Sequence, residues 1–194
     1  MNNIKQVIFL PLIALAILAS GCTTIVDATT KEPLQPDPSQ RSFGTYIDDK
    51  RLQVIVGVNI RKADSRLRQS SNINITSFNG VVLLTGQVPA PELRILAGET
   101  ATKVNGVRQV HNELQMRGNL PFLARSNDTW LGTKVKTVLL ADKQVKGLKI
   151  KVIVENSVVY LMGLATQEEA NIAANLASNV GGIREVVRVF EYTN

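Results

Sequence analysis

One unit of about 70 residues occurs twice in this chain, and this repetition constrains the fold more than any other feature. The segment Asn79–Gly86, NGVVLLTG, returns 77 positions later as NSVVYLMG at Asn156–Gly163. A second match follows it, because NGVRQV at Asn105–Val110 returns as GGIREV at Gly181–Val186. Internal repetition of this kind indicates two copies of one structural unit. The 194 residues therefore predict two small domains in tandem.

Each copy of the repeated segment predicts a β-hairpin. Asn79-Gly80 is the strongest short hairpin signal, because both central residues of a type I′ turn need a positive φ. Asn156-Ser157 is a weaker version of the same turn. An alternating strand precedes each turn, and a short apolar strand that ends in glycine follows it. Gly80 is therefore expected to have a positive φ.

Helical patterns flank the first hairpin. Asp48 and Asp49 are suited to a helix N-terminus, where acidic side chains interact favourably with the helix dipole. Pro91 is tolerated in the first turn of a second helix. The elements predicted for the first copy are a helix over 48–62, a polar loop over 63–71, a hairpin over 73–86, a helix over 91–104 and a strand over 107–116.

The second copy predicts the same order of elements. Asp128 is expected to be the N-cap of its first helix, and the TQEE segment that begins at Thr166 fits a capping box. The predicted elements are a helix over 128–141, a hairpin over 149–163, a helix over 166–180 and a strand over 183–192. Each copy is thus an αββαβ unit of the α+β class, with two helices packed on a three-stranded sheet.

The N-terminus has the pattern of a signal sequence. Lys5 precedes an apolar run over 7–19, which is too short for a typical spanning helix. The run ends in ASGC, which resembles a bacterial lipobox with Ala19 in the place of the usual leucine. This resemblance implies a signal peptide over 1–21 and acylation, with palmitate among the acyl chains, of Cys22. The alternatives are an ordinary secretory signal and an uncleaved anchor.

The position after the lipobox cysteine bears on location. Thr23 stands where an aspartate tends to retain lipoproteins at the inner membrane of Gram-negative bacteria, so the resemblance implies the outer membrane, facing the periplasm. The proline-containing segment that follows reads as a tether. The expected organisation is an acylated tether over 22–45, a first domain over 46–117, a connector over 118–127 and a second domain over 128–194.

Composition excludes several kinds of site. One cysteine and one histidine rule out a disulfide within the chain and a multi-histidine metal site. His111 lies on a predicted strand without a nucleophile to partner it, so the sequence predicts no enzyme, no metal and no cofactor. The net charge of +6 suits anionic lipid, an anionic polymer or nucleic acid. A periplasmic location nearly removes nucleic acid from these partners.

The helix predicted over 128–141 has two contrasting sides. At about 100° per residue, one side faces the sheet and is formed by Leu131, Val135, Val138 and Leu139. Outside this sector lie Trp130, Thr133, Lys134, Thr137 and Leu140. Exposed tryptophan and leucine beside lysine are typical of a membrane interface. Alternatively, Trp130 and Leu140 pack on the first domain or on the connector.

The first domain provides a comparison for this surface. When the helix over 48–62 is aligned on its core residues, Arg51 takes the place of Trp130 and Arg61 that of Leu140. The same outer face in the first domain is therefore expected to be charged rather than apolar.

The repeated unit resembles the BON domain. The resemblance rests on the αββαβ order, on NGVVLLTG and VNGVRQV in the first copy, and on NSVVYLMG and VGGIREV in the second. Two such domains behind a lipobox are similar to the dual-BON-domain outer-membrane lipoproteins of Gram-negative bacteria. This resemblance implies a non-catalytic protein that binds phospholipid, supports envelope integrity and gathers at membrane of particular composition, such as the cell division site.

Residues and resemblance together predict one function and leave one alternative. The predicted function is binding of anionic, phosphatidylglycerol-like phospholipid through the first helix of the second domain, at Trp130, Thr133, Lys134, Thr137 and Leu140. The alternative is a protein–protein adaptor that docks an envelope partner through the same helix and the connector.

Overall fold

A computed structural model describes residues 42–118 and 122–193, which all belong to one compact unit. The predicted signal peptide, Cys22 and the predicted tether up to residue 41 lie outside the described residues.

The first half of this unit confirms the predicted order of elements and adds one short helix. Its three-stranded sheet has the order β1-β2-β3, with β1 antiparallel and β3 parallel to β2. The elements are α1 (Phe43–Ala63), α2 (Ser65–Gln69), β1 (Asn72–Phe78), β2 (Val81–Val88), α3 (Pro91–Thr102) and β3 (Gln109–Met116).

The second half repeats this topology. Its sheet has the order β4-β5-β6, again with one antiparallel and one parallel pair. The elements are α4 (Phe122–Ala141), a 3₁₀ turn (Gly147–Lys149), β4 (Lys151–Glu155), β5 (Val158–Ala165), α5 (Gln167–Ser178) and β6 (Glu185–Tyr192). The chain is therefore an α+β protein built from two αββαβ units. The capping box of α5 is confirmed, with Thr166 and Glu169 bonding each other's backbone amides.

The predicted starts of two helices were wrong. Helix α1 begins at Phe43 rather than at Asp48, because Ser42 is its N-cap and accepts a hydrogen bond from the Thr45 amide at 3.1 Å. Helix α4 begins at Phe122, so residues 122–127 are helical rather than a connector. The segment predicted as a polar loop over 63–71 contains α2, which Asp64 caps.

The longer helices change the role of two aspartates. Asp49 and Asp128 lie inside α1 and α4 and are buried, whereas the sequence predicted them at helix N-termini. The Asp49 carboxylate accepts hydrogen bonds from the Asn79 and Gly80 amides at 2.8 and 3.0 Å, and from the Ser77 hydroxyl at 2.7 Å. Each aspartate therefore ties its helix to the turn of its hairpin.

Asp128 makes the equivalent contacts in the second unit. Its carboxylate accepts hydrogen bonds from the amides of Asn156 at 2.7 Å and Ser157 at 2.8 Å. Both turns have the type I′ conformation, since φ is 51° at Asn79, 75° at Gly80, 51° at Asn156 and 61° at Ser157. The prediction of a positive φ at Gly80 is confirmed.

Each unit has its own apolar core between its helices and one face of its sheet. In the first unit Val82 and Leu84 of β2 meet α1 and α3. In the second unit Val159 and Leu161 of β5 meet α4 and α5 in the same way. The helices of each unit thus cover one face of a sheet.

The other faces of the two sheets pack on each other, which the sequence reasoning missed. A third apolar cluster joins them, and its buried members are Phe78, Val81, Leu83, Val158, Tyr160, Met162 and Val189. The two repeated units together therefore form four layers: helices, sheet, sheet, helices. One signal was present, because β2 and β5 read as near-continuous apolar runs, which is typical of strands buried on both faces.

Polar side chains at this sheet–sheet interface are paired across it. Glu191 of the second unit accepts from the Arg108 guanidinium at 2.8 Å and from the Asn79 amide group at 2.7 Å. The hydrogen bond from Arg108 lowers the pKa of the Glu191 carboxyl. Elsewhere, buried Glu155 accepts from Gln87 at 2.6 Å and from Asn74 at 3.0 Å. The contacts of Glu155 satisfy a charge that would otherwise be costly to bury.

Candidate membrane-contacting helix

Helix α4 has one buried side and one exposed apolar side. Leu131, Val135 and Leu139 are buried in the core, as the helical periodicity predicts. Trp130 is 58 % exposed and Leu140 is 48 % exposed. The structure therefore does not support packing of these two side chains on the first unit. They lie on the outer surface of the helical layer, where a large external surface could contact them.

Lys134 is held against the exposed tryptophan. Its Nζ lies 4.1 Å from the centroid of the Trp130 ring, within the range of a cation–π contact. The ammonium group thus lies next to the largest apolar side chain of the surface. This arrangement presents a ring and a positive charge together, which suits a boundary between hydrocarbon and anionic headgroups.

A ladder of three threonines runs along the same helix. The hydroxyls of Thr129, Thr133 and Thr137 donate to the carbonyl oxygens four residues earlier, at 3.1, 3.1 and 2.9 Å. A hydroxyl that bonds its own backbone needs no partner from solvent. The exposed threonines are therefore less costly to transfer to an interface than free hydroxyls would be. The sequence predicted Thr133 and Thr137 but not Thr129.

A groove of ≈ 690 Å³ lies between α4 and the edge strand β4. Thr133 and Thr137 line it together with Arg125, Lys136 and Lys151. Lys136 is committed to the fold, since its Nζ donates to the carbonyl oxygens of Gly147 and Ile150, both at 2.7 Å, and burial lowers its pKa. Arg125, which also lines the groove, is exposed and lies near the N-terminal end of α4.

The five predicted site residues on α4 share one outer surface, which we call the α4 surface: Trp130, Thr133, Lys134, Thr137 and Leu140. Lys134 is half-buried, and the other four are exposed. The predicted lipidation site, Cys22, lies outside the described residues.

The first unit departs from its predicted outer face. Arg51 and Arg61 are exposed as expected. However, Phe43, Ile47 and Val54 are exposed on the same helix, so its outer face is apolar as well as charged. The sequence reasoning assigned Phe43 to the tether and began the helix at Asp48, so that Phe43 and Ile47 fell outside it. Val54 lay inside the predicted helix, but its exposed position was not considered.

In the part of the chain that the structure describes, no group of three or more His, Cys, Asp or Glu side chains could hold a metal ion. No helix among these residues is both long enough and apolar enough to span a bilayer.

Comparison with known proteins agrees with the fold and the repeat. Residues 48–118 and 127–194 match the BON domain family. The chain is 37% identical over 181 residues to the outer membrane lipoprotein DolP of Haemophilus influenzae, covering 93% of both chains. It is 37% identical over 152 residues to the 21 kDa hemolysin of Actinobacillus pleuropneumoniae, covering 78% of both. It is 28% identical to the osmotically-inducible protein Y of Escherichia coli, covering 77% of this chain and 75% of the relative.

Proposed function

This chain belongs to the BON-domain family, and on that premise we propose that it is a lipid-anchored outer-membrane protein that binds anionic phospholipid through its α4 surface. The anchor is Cys22 with its acyl chains, and the domains face the periplasm. The protein supports the integrity of the envelope and is enriched at the division site. Its similarity to an outer membrane lipoprotein over 93% of the chain supports the location.

The observation that carries the lipid assignment is the exposure of Trp130 and Leu140 on one helix, with Lys134 against the Trp130 ring. Burying two such apolar side chains contributes about 1.5–3 kcal/mol each when burial is complete, and less at an interface. A lysine near an anionic surface adds about 1 kcal/mol, and salt reduces this contribution. Apolar contacts therefore dominate the affinity, while charge gives the preference for anionic lipid.

The anchor explains why a weak contact suffices. Acyl chains on Cys22 hold the protein at a bilayer, and multiple chains make that attachment stable. The tether keeps the α4 surface close to the membrane, so that a weak contact acts at a high effective concentration. The α4 surface is thus suited to selecting where in the membrane the protein resides, rather than to attaching it.

The test uses protein without its acyl chains, because these would bind any bilayer. An unacylated protein that begins at Thr23 retains all the described residues. We expect it to bind phosphatidylglycerol vesicles and not phosphatidylcholine vesicles. Trp130→Glu should remove most of this binding and disperse the acylated protein over the envelope. Circular dichroism must show an unchanged fold for the comparison to count.

Arg51→Glu is the matched control, since Arg51 occupies the position of Trp130 in the first unit. It changes one of four exposed cations on α1 and removes no apolar side chain, so it should reduce vesicle binding much less than Trp130→Glu does. Wild-type binding and localisation by Trp130→Glu would contradict the lipid assignment. Absence of wild-type binding to either vesicle would instead favour an adaptor that docks an envelope protein on α4, which now includes most of the predicted connector.

A further inference from the structure

The outer face of α1 carries an exposed apolar stripe that the proposed function does not use. Phe43, Ile47 and Val54 are 80 %, 49 % and 64 % exposed. They lie at i, i+4 and i+11, which places them on one side of a helix with about 3.6 residues per turn. The core residues Leu52 and Val56 lie on the other side and are buried. We call Phe43, Ile47 and Val54 the α1 stripe.

Positive charges border the α1 stripe. Four exposed cations lie on the same helix: Lys50, Arg51, Arg61 and Lys62. The Lys50 Nζ lies 5.6 Å from the centroid of the Tyr46 ring, which repeats the aromatic–lysine pairing of Trp130 and Lys134 one turn apart. Of the two acidic residues of α1, Asp49 is buried and Asp48 alone is exposed. The exposed face is thus apolar with an excess of positive charge.

Charge decides which occupant fits this face. A second copy of the chain would bring the same cations together across a symmetric interface, and like charges in such an arrangement repel. An anionic bilayer complements both the apolar stripe and the cations. Helix α1 also begins at Phe43, 21 residues after Cys22. A random coil of that length spans about 25 Å on average, so acylation of Cys22 in the proposed function places the start of the α1 stripe near the bilayer.

We infer that the α1 stripe is a second membrane-contacting surface, specific for anionic bilayers. This inference takes its ligand class, anionic lipid, from the proposed function, but it concerns different residues. Helices α1 and α4 lie in opposite outer layers of the four-layer unit, so one flat bilayer cannot contact both of their outer faces in the same molecule. The two contacts are therefore alternatives, and the anchored protein has two orientations on the membrane.

The single tryptophan of the chain allows each surface to be observed separately. Wild type reports on the α4 surface through Trp130. The double variant Trp130→Phe, Phe43→Trp moves the fluorophore to the α1 stripe and keeps an aromatic ring at both positions. Trp130→Phe, Tyr192→Trp is the matched control, because Tyr192 is exposed at the end of a sheet strand rather than on an outer helix.

The full-length protein, purified from membranes, is reconstituted into phosphatidylglycerol-containing vesicles whose acyl chains carry bromine, which quenches tryptophan on contact. We expect the position-43 tryptophan to shift its emission to the blue and to lose intensity, and the position-192 tryptophan to do neither. Replacing phosphatidylglycerol by phosphatidylcholine should remove most of the effect at position 43. An unquenched position-43 tryptophan in a protein whose circular dichroism is unchanged would overturn the inference and leave the stripe to a protein partner.

A further substitution tests whether the two orientations compete. Leu140→Glu weakens the α4 surface and should increase the quenching at position 43. Equal quenching with and without Leu140→Glu would overturn the claim that the contacts exclude each other. Failure of the proposed function looks different, because then Trp130 of wild type is not quenched while position 43 still is.

Discussion

Helices α1 and α4 occupy equivalent places in the two units. Their buried sides carry similar residues, whereas their outer sides do not. Their buried sides share one ladder, formed by Leu52, Val56 and Ile60 in α1 and by Leu131, Val135 and Leu139 in α4. Their outer sides differ, with aliphatic residues and Phe43 on α1 and with Trp130, Lys134 and threonines on α4. A core position must fit its neighbours, whereas an outer position meets only what binds there. The outer sides are therefore where the two units can have acquired different roles.

The first way to test this equivalence is to remove the aspartate that ties each helix to its hairpin. Asp49→Ala should destabilise the protein by about 3 kcal/mol, because it leaves the donors of Ser77, Asn79 and Gly80 without their acceptor. Asp128→Ala should cost about 2 kcal/mol, since Asp128 accepts from two backbone amides. Urea unfolding of the unacylated protein measures both.

Asp48→Ala is the control for this pair, because Asp48 is the exposed neighbour that sequence alone would rank with Asp49. It should change the free energy of unfolding by less than about 0.5 kcal/mol. A loss at Asp48 as large as that at Asp49 would show that the N-terminal charge, and not the tie to the hairpin, stabilises α1.

The sheet–sheet interface offers a second, asymmetric test. Leu83 of β2 and Tyr160 of β5 occupy equivalent positions in this interface, and only the tyrosine can ionise. Burial raises the pKa of Tyr160 from 10.0 to about 12. The folded state therefore holds the phenolic proton more tightly than the unfolded state does. This contribution to stability is present below pH 10 and is lost as the pH rises towards 12.

The expected loss over that pH interval is about 2–3 kcal/mol, as the size of the shift implies. Tyr160→Phe should remove this part of the alkaline dependence. Other groups titrate in the same range, so the measurement is the difference between wild-type and Tyr160→Phe unfolding free energies from pH 9 to pH 12, with Tyr192→Phe as an exposed control. Parallel curves for wild type and Tyr160→Phe would contradict burial of the phenol in the folded protein.

The smallest changes in stability are expected from substitutions at the second position of each hairpin turn. Gly80 has φ of 75°, and a Cβ there would lie 3.0 Å from the Gly106 carbonyl oxygen, so Gly80→Val should destabilise by about 1–3 kcal/mol. Ser157 has φ of 61° at the equivalent place, where glycine has no steric cost. Ser157→Gly should therefore stabilise the protein by up to about 1 kcal/mol. Thermal melting checks both, and a lower melting temperature for Ser157→Gly would show that its strain is offset by its side chain.

The elements that sequence predicted best are those that depend on local chemistry. Asn79-Gly80 specified its turn through φ, and the Thr166 capping box specified the start of α5. The starts of α1 and α4 were predicted too late because Asp49 and Asp128 are helix starters in most contexts. Their occurrence at the same distance before Leu52 and Leu131 was the available signal that they have a tertiary role.

The exposed helix surfaces were also predicted only where local spacing was sufficient. The helical period alone placed Trp130 and Leu140 outside the core, because the spacing of Leu131, Val135 and Leu139 sets which side is buried. The α1 stripe was missed because its first member, Phe43, follows a serine whose capping role is visible only once the helix is seen.

Sequence by itself determined the repeat, the order of strands and helices, the turn type and the buried side of each helix, since each of these follows from residue spacing and local φ preferences. Only the tertiary structure decided that the two sheets pack face to face, because the apolar residues of a strand show that its face is buried but not which element covers it. That packing buries the sheet faces and leaves the outer faces of α1 and α4 in opposite layers. The number of outer helix faces that remain open to a binding partner is thus a property of the assembled layers rather than of either repeat.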